Sequence, residues 1–239
     1  MTQIPGLFHL VFFLLLPHYW ASSTSAYTKH AMTTLKDSNN LAASLIGTGR
    51  CTEAYYELRG AMNALAQTIK LDDTFKSTPG EIAFGVTPLA LIVPNDDACT
   101  FSSPLMLDGT EPEEYTVESA SCACATALFN MALACHFHIE QGNLSLAEQR
   151  QGLDQARDLY TQAYQISKRL DVPLLNLALC NNLLEMAFED ADTDAIFYWR
   201  NEFGVAMDKH GMAAPADVLV HLLKVQLWFM PPLQAARAA

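Results

Sequence analysis

Basic residues are scarce in this sequence, which has 14 Lys and Arg residues against 26 Asp and Glu residues in a total of 239. The formal net charge is therefore −12 at pH 7. A surface of that sign repels nucleic acid phosphates and anionic lipid head groups. The pair Lys168-Arg169 lies near a predicted helix end, where it complements the helix dipole and forms no phosphate-binding stripe. The sequence thus predicts no nucleic acid partner.

The apolar run nearest the N-terminus, residues 7–16, is short and reads LFHLVFFLLL. Ten residues are too few for a bilayer span, which needs about 20, and we expect no integral membrane span. The length suits a signal peptide cleaved after Ala26, but no Lys or Arg precedes the run, and Met32 is an alternative start. Residues 1–31 are thus interpreted as a leader or a disordered extension. An intracellular location is favoured, and a secretory or organellar one follows if the leader is cleaved.

No arrangement of reactive side chains indicates catalysis. The sequence lacks a Ser/His/Asp or Cys/His pattern, and Gly47-Thr48-Gly49 lacks the Lys of a phosphate-binding loop. Four of the six cysteines lie among apolar helical residues, which predicts buried, reduced thiols, whereas paired cysteines follow if the chain is secreted. These four are Cys51, Cys124, Cys135 and Cys180. The sequence therefore predicts a protein that is not an enzyme and needs no cofactor.

One predicted helix carries five potential metal ligands, Cys122, Cys124, Cys135, His136 and His138. Zinc needs four ligands that converge on one point. The apolar residues Leu128 and Met131 lie in the middle of the helix face shared by Cys124, Cys135 and His138, which favours packing over metal binding. The alternative is a metal- or small-molecule-dependent enzyme that uses the carboxylates of the 72–139 region with the two histidines.

Asp190, Asp192 and Asp194 have the spacing that opens a calcium loop of the EF-hand type. Such a loop needs Gly at its sixth position and Glu at its twelfth, where this sequence has Ala195 and Asn201. We therefore predict no metal site here, and instead an acidic turn in which Asp192 or the following Thr caps the next helix.

Helical hairpins recur along the chain. The first turns at Gly47-Thr48-Gly49, and the helix after the turn has one apolar face formed by Ala54, Leu58, Ala61 and Leu65. The second hairpin repeats this small–large–small spacing at Ala156, Tyr160 and Ala163. The third opens after Pro173, and its Asn181-Asn182-Leu183 repeats Asn39-Asn40-Leu41 of the first. The apolar segment 217–230 then suits a capping helix at the end of a stack.

Gly49 and Ala54, followed by Leu58 and Ala61, resemble the motif of tetratricopeptide (TPR) repeats, although Cys51 replaces the usual aromatic residue. The resemblance implies an all-α fold, in which residues 32–239 form an α-solenoid of antiparallel helical hairpins. In that family the first helix of each repeat lines a concave groove. The resemblance therefore implies that three asparagines face the groove, where their amides would bind the backbone of a peptide or tie one helix to the next unit: Asn40, Asn130 and Asn182.

The segment 72–118 departs from the repeat pattern and is interrupted by several prolines. Its short apolar runs, residues 82–86 and 89–93, favour β-strands. We therefore predict a loop or β-hairpin insertion between the first two hairpins.

Taken together, these patterns predict a non-enzymatic helical-repeat scaffold that mediates protein–protein interaction through a helical groove. Few Lys or Arg residues accompany the asparagines on the first helices, so an acidic peptide is a poor ligand. The negative net charge favours a basic or apolar protein segment as the partner.

Overall fold

The computed structural model of this chain describes residues 26–71, 81–89, 100–109, 115–142, 144–211 and 214–229. In these ranges the protein is mostly helical, which confirms the predicted class. Residues 1–25 of the candidate signal segment lie outside the described residues. The first helix begins at Ala26. That helix starts before the predicted boundary at residue 32, and its residues Ala31 and Met32 already belong to the buried core.

Seven helices and two strands form within the described ranges. They are α1 (Ala26–Gly47), α2 (Cys51–Leu71), β1 (Gly85–Pro88), β2 (Leu105–Asp108), α3 (Val117–Gln141), α4 (Leu146–Ser167), α5 (Pro173–Glu189), α6 (Thr193–His210) and α7 (Ala216–Phe229). Three pairs of consecutive helices pack against each other, α1 with α2, α3 with α4, and α5 with α6. Their short connections make each pair an antiparallel hairpin.

The turn between α1 and α2 follows from its glycine. Gly49 has a φ of 78°, a left-handed conformation that glycine adopts without strain. The Arg50 N–H donates to the Leu45 carbonyl at 2.8 Å and the Gly49 N–H to the Ile46 carbonyl at 2.9 Å. This pair of bonds is the Schellman pattern, which satisfies the last carbonyls of a helix and reverses the chain.

Side chains define the starts of three other helices. Thr116 caps α3, and Ser145 forms a reciprocal capping box with Glu148 at the start of α4. Asp192 caps α6, where its Oδ1 accepts the Ala195 N–H at 3.0 Å. The capping role predicted for the acidic turn is thereby confirmed.

The chain divides into two compact units. Unit 1 comprises Met1–Ile92 and Ser102–Val172, and unit 2 comprises Val93–Phe101 and Pro173–Ala239. Helix α3 is central in unit 1, because it packs against α1, α2, α4 and β2. Among the described helices, α3 alone has the length and apolar composition of a membrane span, but 83% of its most apolar window is buried inside the protein. Its apolar composition is therefore that of a core helix.

Strands β1 and β2 form the small sheet of unit 1. They pair antiparallel, with Gly85 opposite Asp108 and Pro88 opposite Leu105. The first predicted strand, residues 82–86, overlaps β1, but its partner is β2 and not the predicted run 89–93. Of that run, residues 90–93 lie outside the described residues.

Candidate functional site

Asparagine side chains of α1 and α3 bind the main chain of β2. Asn130 on α3 accepts the Leu105 N–H at 2.9 Å through Oδ1 and donates Nδ2 to the Leu105 carbonyl at 2.7 Å. Asn40 on α1 accepts the Leu107 N–H at 2.8 Å and donates to the Leu107 carbonyl at 3.0 Å. Each amide therefore bonds both polar groups of one residue, as a neighbouring strand would.

A third asparagine, Asn39, connects the other two. Its Nδ2 donates to the Leu105 carbonyl at 3.0 Å, and its Oδ1 accepts from Asn130 Nδ2 at 2.9 Å. A longer contact of 3.4 Å runs from the same Nδ2 to Asn40 Oδ1. Both N–H groups of Asn130 are thereby used, and the Leu105 carbonyl receives two donors. Asn39, Asn40 and Asn130 are called the amide clamp below.

The amide clamp supplies the hydrogen-bond partners that water would supply to an exposed main chain. Asn39, Asn130 and Leu105 are each 0% exposed, and Leu107 is equally buried. A main-chain group at that depth needs a partner inside the protein, because leaving it unbonded costs about 1–3 kcal/mol. The clamp supplies those partners along one edge of β2.

The other edge of β2 is bonded by β1. There the Leu89 N–H, just after β1, donates to the Pro104 carbonyl at 2.8 Å. Pro88 has no N–H to donate, and it lies opposite Leu105, whose N–H and carbonyl both face the amide clamp. The proline therefore leaves no bond of the ladder unmade.

Unit 2 contains the same arrangement. Asn182 on α5 accepts the Phe101 N–H at 2.7 Å and donates to the Phe101 carbonyl at 3.2 Å. Its neighbour Asn181 donates to Asn182 Oδ1 at 3.1 Å, as Asn39 does to Asn40 in unit 1. In each Asn-Asn pair the first amide donates to Oδ1 of the second, which binds main chain, and Asn39 also donates to the Leu105 carbonyl itself.

The three asparagines predicted to bind a partner, Asn40, Asn130 and Asn182, all bind main chain, and the main chain is the protein's own. Their use by an external partner stays a prediction. Sequence reasoning missed the supporting amides, Asn39 and Asn181, although both belong to the Asn-Asn pairs that marked the repeat.

Sequence reasoning also missed the bound segment. Its signal was the alternation of Leu105 and Leu107 with Met106 and Asp108, which is typical of a strand with one buried face. In the structure the two leucines are buried, Met106 is half-buried and Asp108 is exposed.

The cysteines and histidines considered as metal ligands do not form a site in the described part of the chain. No three His, Cys, Asp or Glu side chains there form a group that could hold a metal ion. Burial raises the pKa of Cys122, Cys124 and Cys135 to about 12, so these thiols stay protonated and unreactive at neutral pH. The carboxylates of residues 96–97 and 111–114, part of the alternative enzyme site, lie outside the described residues.

His136 on α3 is a buried histidine with an unused nitrogen. It is 3% exposed, and its Nδ1 has no hydrogen-bond partner among the described residues. Burial lowers its pKa, because the charged imidazolium loses its hydration there. His138 is only half-buried, and its Nδ1 lies 3.4 Å from Thr52 Oγ1.

Replacing His136 with Phe is expected to make folding less sensitive to acid. The unfolded histidine binds a proton near about pH 6.5, whereas the buried one resists it, so the wild-type protein loses stability as the pH falls below that value. Phe binds no proton in either state. Urea denaturation at about pH 7 and pH 5 measures the loss, and His138→Gln serves as the control that follows wild type. An equal loss in H136F and wild type would contradict the role given to His136.

Comparisons of this chain with protein-family models, with curated proteins and with solved structures gave no match. The geometry of the amide clamp is therefore the basis for assigning a function.

Proposed function

We propose that this chain is a non-enzymatic, TPR-like helical-repeat scaffold that binds an extended segment of another protein at its asparagines. Three helical hairpins follow one another, and the first helix of each carries one of the amides that bind main chain. The TPR resemblance implies an α-solenoid in which such first helices line the groove.

The observation that carries the proposal is the spacing of the two amides in unit 1. Asn130 and Asn40 bind Leu105 and Leu107, which are two residues apart on one edge of an extended chain. Hydrogen bonds to main-chain groups recognise any extended segment, because every residue except proline offers the same N–H and carbonyl. In this mode of peptide recognition, main-chain bonds supply affinity and alternate side chains supply specificity.

The chemistry of the clamp supports binding over catalysis. An asparagine amide does not ionise at physiological pH and is a poor nucleophile, so it orients a bound chain without exchanging protons with it. The thiols close to the clamp in sequence, Cys122 and Cys124, are held in the protonated form by burial.

The charge balance supports an apolar or basic partner. The chain carries a formal charge of −12, which disfavours approach of an acidic segment. The segment now at the clamp places Leu105 and Leu107 in fully buried positions, so the site accommodates apolar side chains.

A library of random extended peptides tests the proposal. The full chain is expected to enrich peptides that are apolar or basic and poor in Asp and Glu, and the enriched peptides are expected to shift the NMR signals of the Asn40 side-chain amide, which supplies two main-chain bonds. A direct signal is needed because Asn40→Ala would remove the same two bonds from the protein's own strand.

The side-chain amide of Asn63 on α2 is the matched control, because Asn63 is half-buried on a helix that does not supply the clamp. Selections at low and high salt separate the two partner classes, since salt weakens basic peptides and leaves apolar ones bound. A library without enrichment, or enriched peptides that shift the Asn40 and Asn63 side-chain amides equally, contradicts the proposal.

A further inference from the structure

We propose that β2 is an internal ligand of the amide clamp, and that an uncharged, apolar segment of a partner protein binds by replacing it. The inference rests on the proposed function and specifies its partner and its regulation. The chain's own strand then inhibits binding, and partners compete with it.

The bonding of β2 is that of a bound peptide. Within the described ranges its one strand partner is β1, which is four residues long, and a two-stranded sheet of this size is marginal by itself. The opposite edge is bonded by three side chains from two helices, and no third strand pairs with it in the part of the chain that the structure describes. A segment of similar shape can therefore take its place while the helices that carry the clamp stay folded.

The burial of β2 defines the partner. Leu105 and Leu107 are buried and Asp108 is exposed, so the site accommodates large apolar side chains at alternate positions of the bound segment. Leu105 and Leu107 are 0% exposed, so a charged residue at either position would lose its hydration. This excludes basic as well as acidic segments at these two positions and leaves the apolar class.

Ser103, two residues before β2, weakens the binding of the internal ligand to the clamp. Its side chain is 0% exposed, and its Oγ has no hydrogen-bond partner among the described residues. A buried hydroxyl without a partner weakens the segment that carries it by roughly tenfold or more in affinity. A partner with Ala at this position avoids that loss, which lets it compete against a tethered strand whose effective concentration is on the order of millimolar.

The test uses the full chain and a labelled peptide of residues 102–109 with Ala in place of Ser103. We expect this peptide to bind wild type and to bind the protein variant Ser103→Ala about tenfold more weakly, because that variant holds its own strand more tightly. Ser44→Ala on α1, an exposed serine, is the control and should bind like wild type. The same peptide with Asp in place of Leu107 should not bind.

Hydrogen exchange shows whether the strand leaves. The peptide is expected to speed exchange of the protein's own Leu105 and Leu107 amides, which lose their asparagine partners, and to leave the α3 amides unchanged. Absence of binding at millimolar peptide, equal affinity for wild type and S103A, or binding without faster exchange of these two amides each overturns the proposal.

These outcomes are distinct from those of the library selection. If peptides are enriched and shift the Asn40 side-chain amide while S103A changes nothing, the scaffold function stands and the replacement of β2 is wrong. If the strand peptide replaces β2 but the library yields no ligand, the strand is replaceable and the scaffold function is wrong.

Discussion

Replacing Asn130 with Asp is expected to lower the free energy of unfolding of unit 1 by about 3–5 kcal/mol at neutral pH, the largest effect of any single change considered for this chain. Asn130 Nδ2 donates to the Leu105 carbonyl and to Asn39 Oδ1. A carboxylate oxygen at the same place donates nothing and faces two acceptors. The site is 0% exposed, so the new charge is also stripped of water.

The loss in N130D should depend on pH in a defined direction. Burial raises the pKa of the introduced carboxyl above the unfolded value of about 3.9, so the folded state binds a proton more readily than the unfolded state. The deficit is therefore largest at neutral pH and shrinks as the pH falls towards about 4, where the protonated carboxyl again offers one donor. Other carboxyls also titrate in this range, so the measured quantity is the difference between variant and wild type.

Urea denaturation followed by circular dichroism measures the effect, with Asn63→Asp as the matched control. Asn63 is half-buried on α2, and a charge there keeps its access to water, so N63D should stay within about 1 kcal/mol of wild type. If N130D and N63D unfold at the same urea concentration, the hydrogen bonds of the clamp do not hold β2 in the way described.

The helices could be predicted because their evidence is local. The face formed by Ala54, Leu58, Ala61 and Leu65 is buried as its spacing indicated, and the turn at Gly49 depends on one residue that tolerates a left-handed backbone. Such signals need no knowledge of the rest of the chain.

The pairing of the sheet could not be predicted from the same kind of evidence. The alternation near residues 82–86 indicated a strand, but its partner β2 begins at Leu105, far along the chain, and a closer apolar run was available. Local pattern identifies a strand and its buried face, whereas the choice of partner depends on where α1 and α3 bring their asparagines.

The asparagines could be predicted only in part. Their recurrence in the first helices was visible in the sequence, which led to Asn40, Asn130 and Asn182. Their ligand was not visible, because each binds an N–H and a carbonyl that every non-proline residue has. A main-chain ligand leaves no side-chain signature, so the sequence alone cannot separate an internal strand from an external peptide.

Replacing Gly109 with Ala is expected to lower the free energy of unfolding by about 2–4 kcal/mol, the second largest effect. Gly109 follows β2 directly and has a φ of 124°, a conformation that residues with a Cβ rarely adopt. A Cβ there would lie 2.8 Å from the Ala83 carbonyl oxygen, which belongs to the backbone leading into β1. Relief therefore requires β1 and the end of β2 to separate, and it also disturbs the 2.7 Å bond from Lys36 Nζ to the Gly109 carbonyl.

Gly60→Ala is the matched control for this prediction, with the opposite sign. Gly60 lies inside α2, is exposed, and a Cβ built on it meets no described atom within 4 Å. Alanine is the better helix former, so G60A should raise the free energy of unfolding by about 0.5–1 kcal/mol. Thermal and urea denaturation of both variants provide the measurement. Because G109A strains the end of the internal strand, it should also increase binding of the 102–109 peptide, whereas G60A should not. A G109A protein as stable as wild type would show that the end of β2 is free to move, and that the amide clamp alone holds the strand.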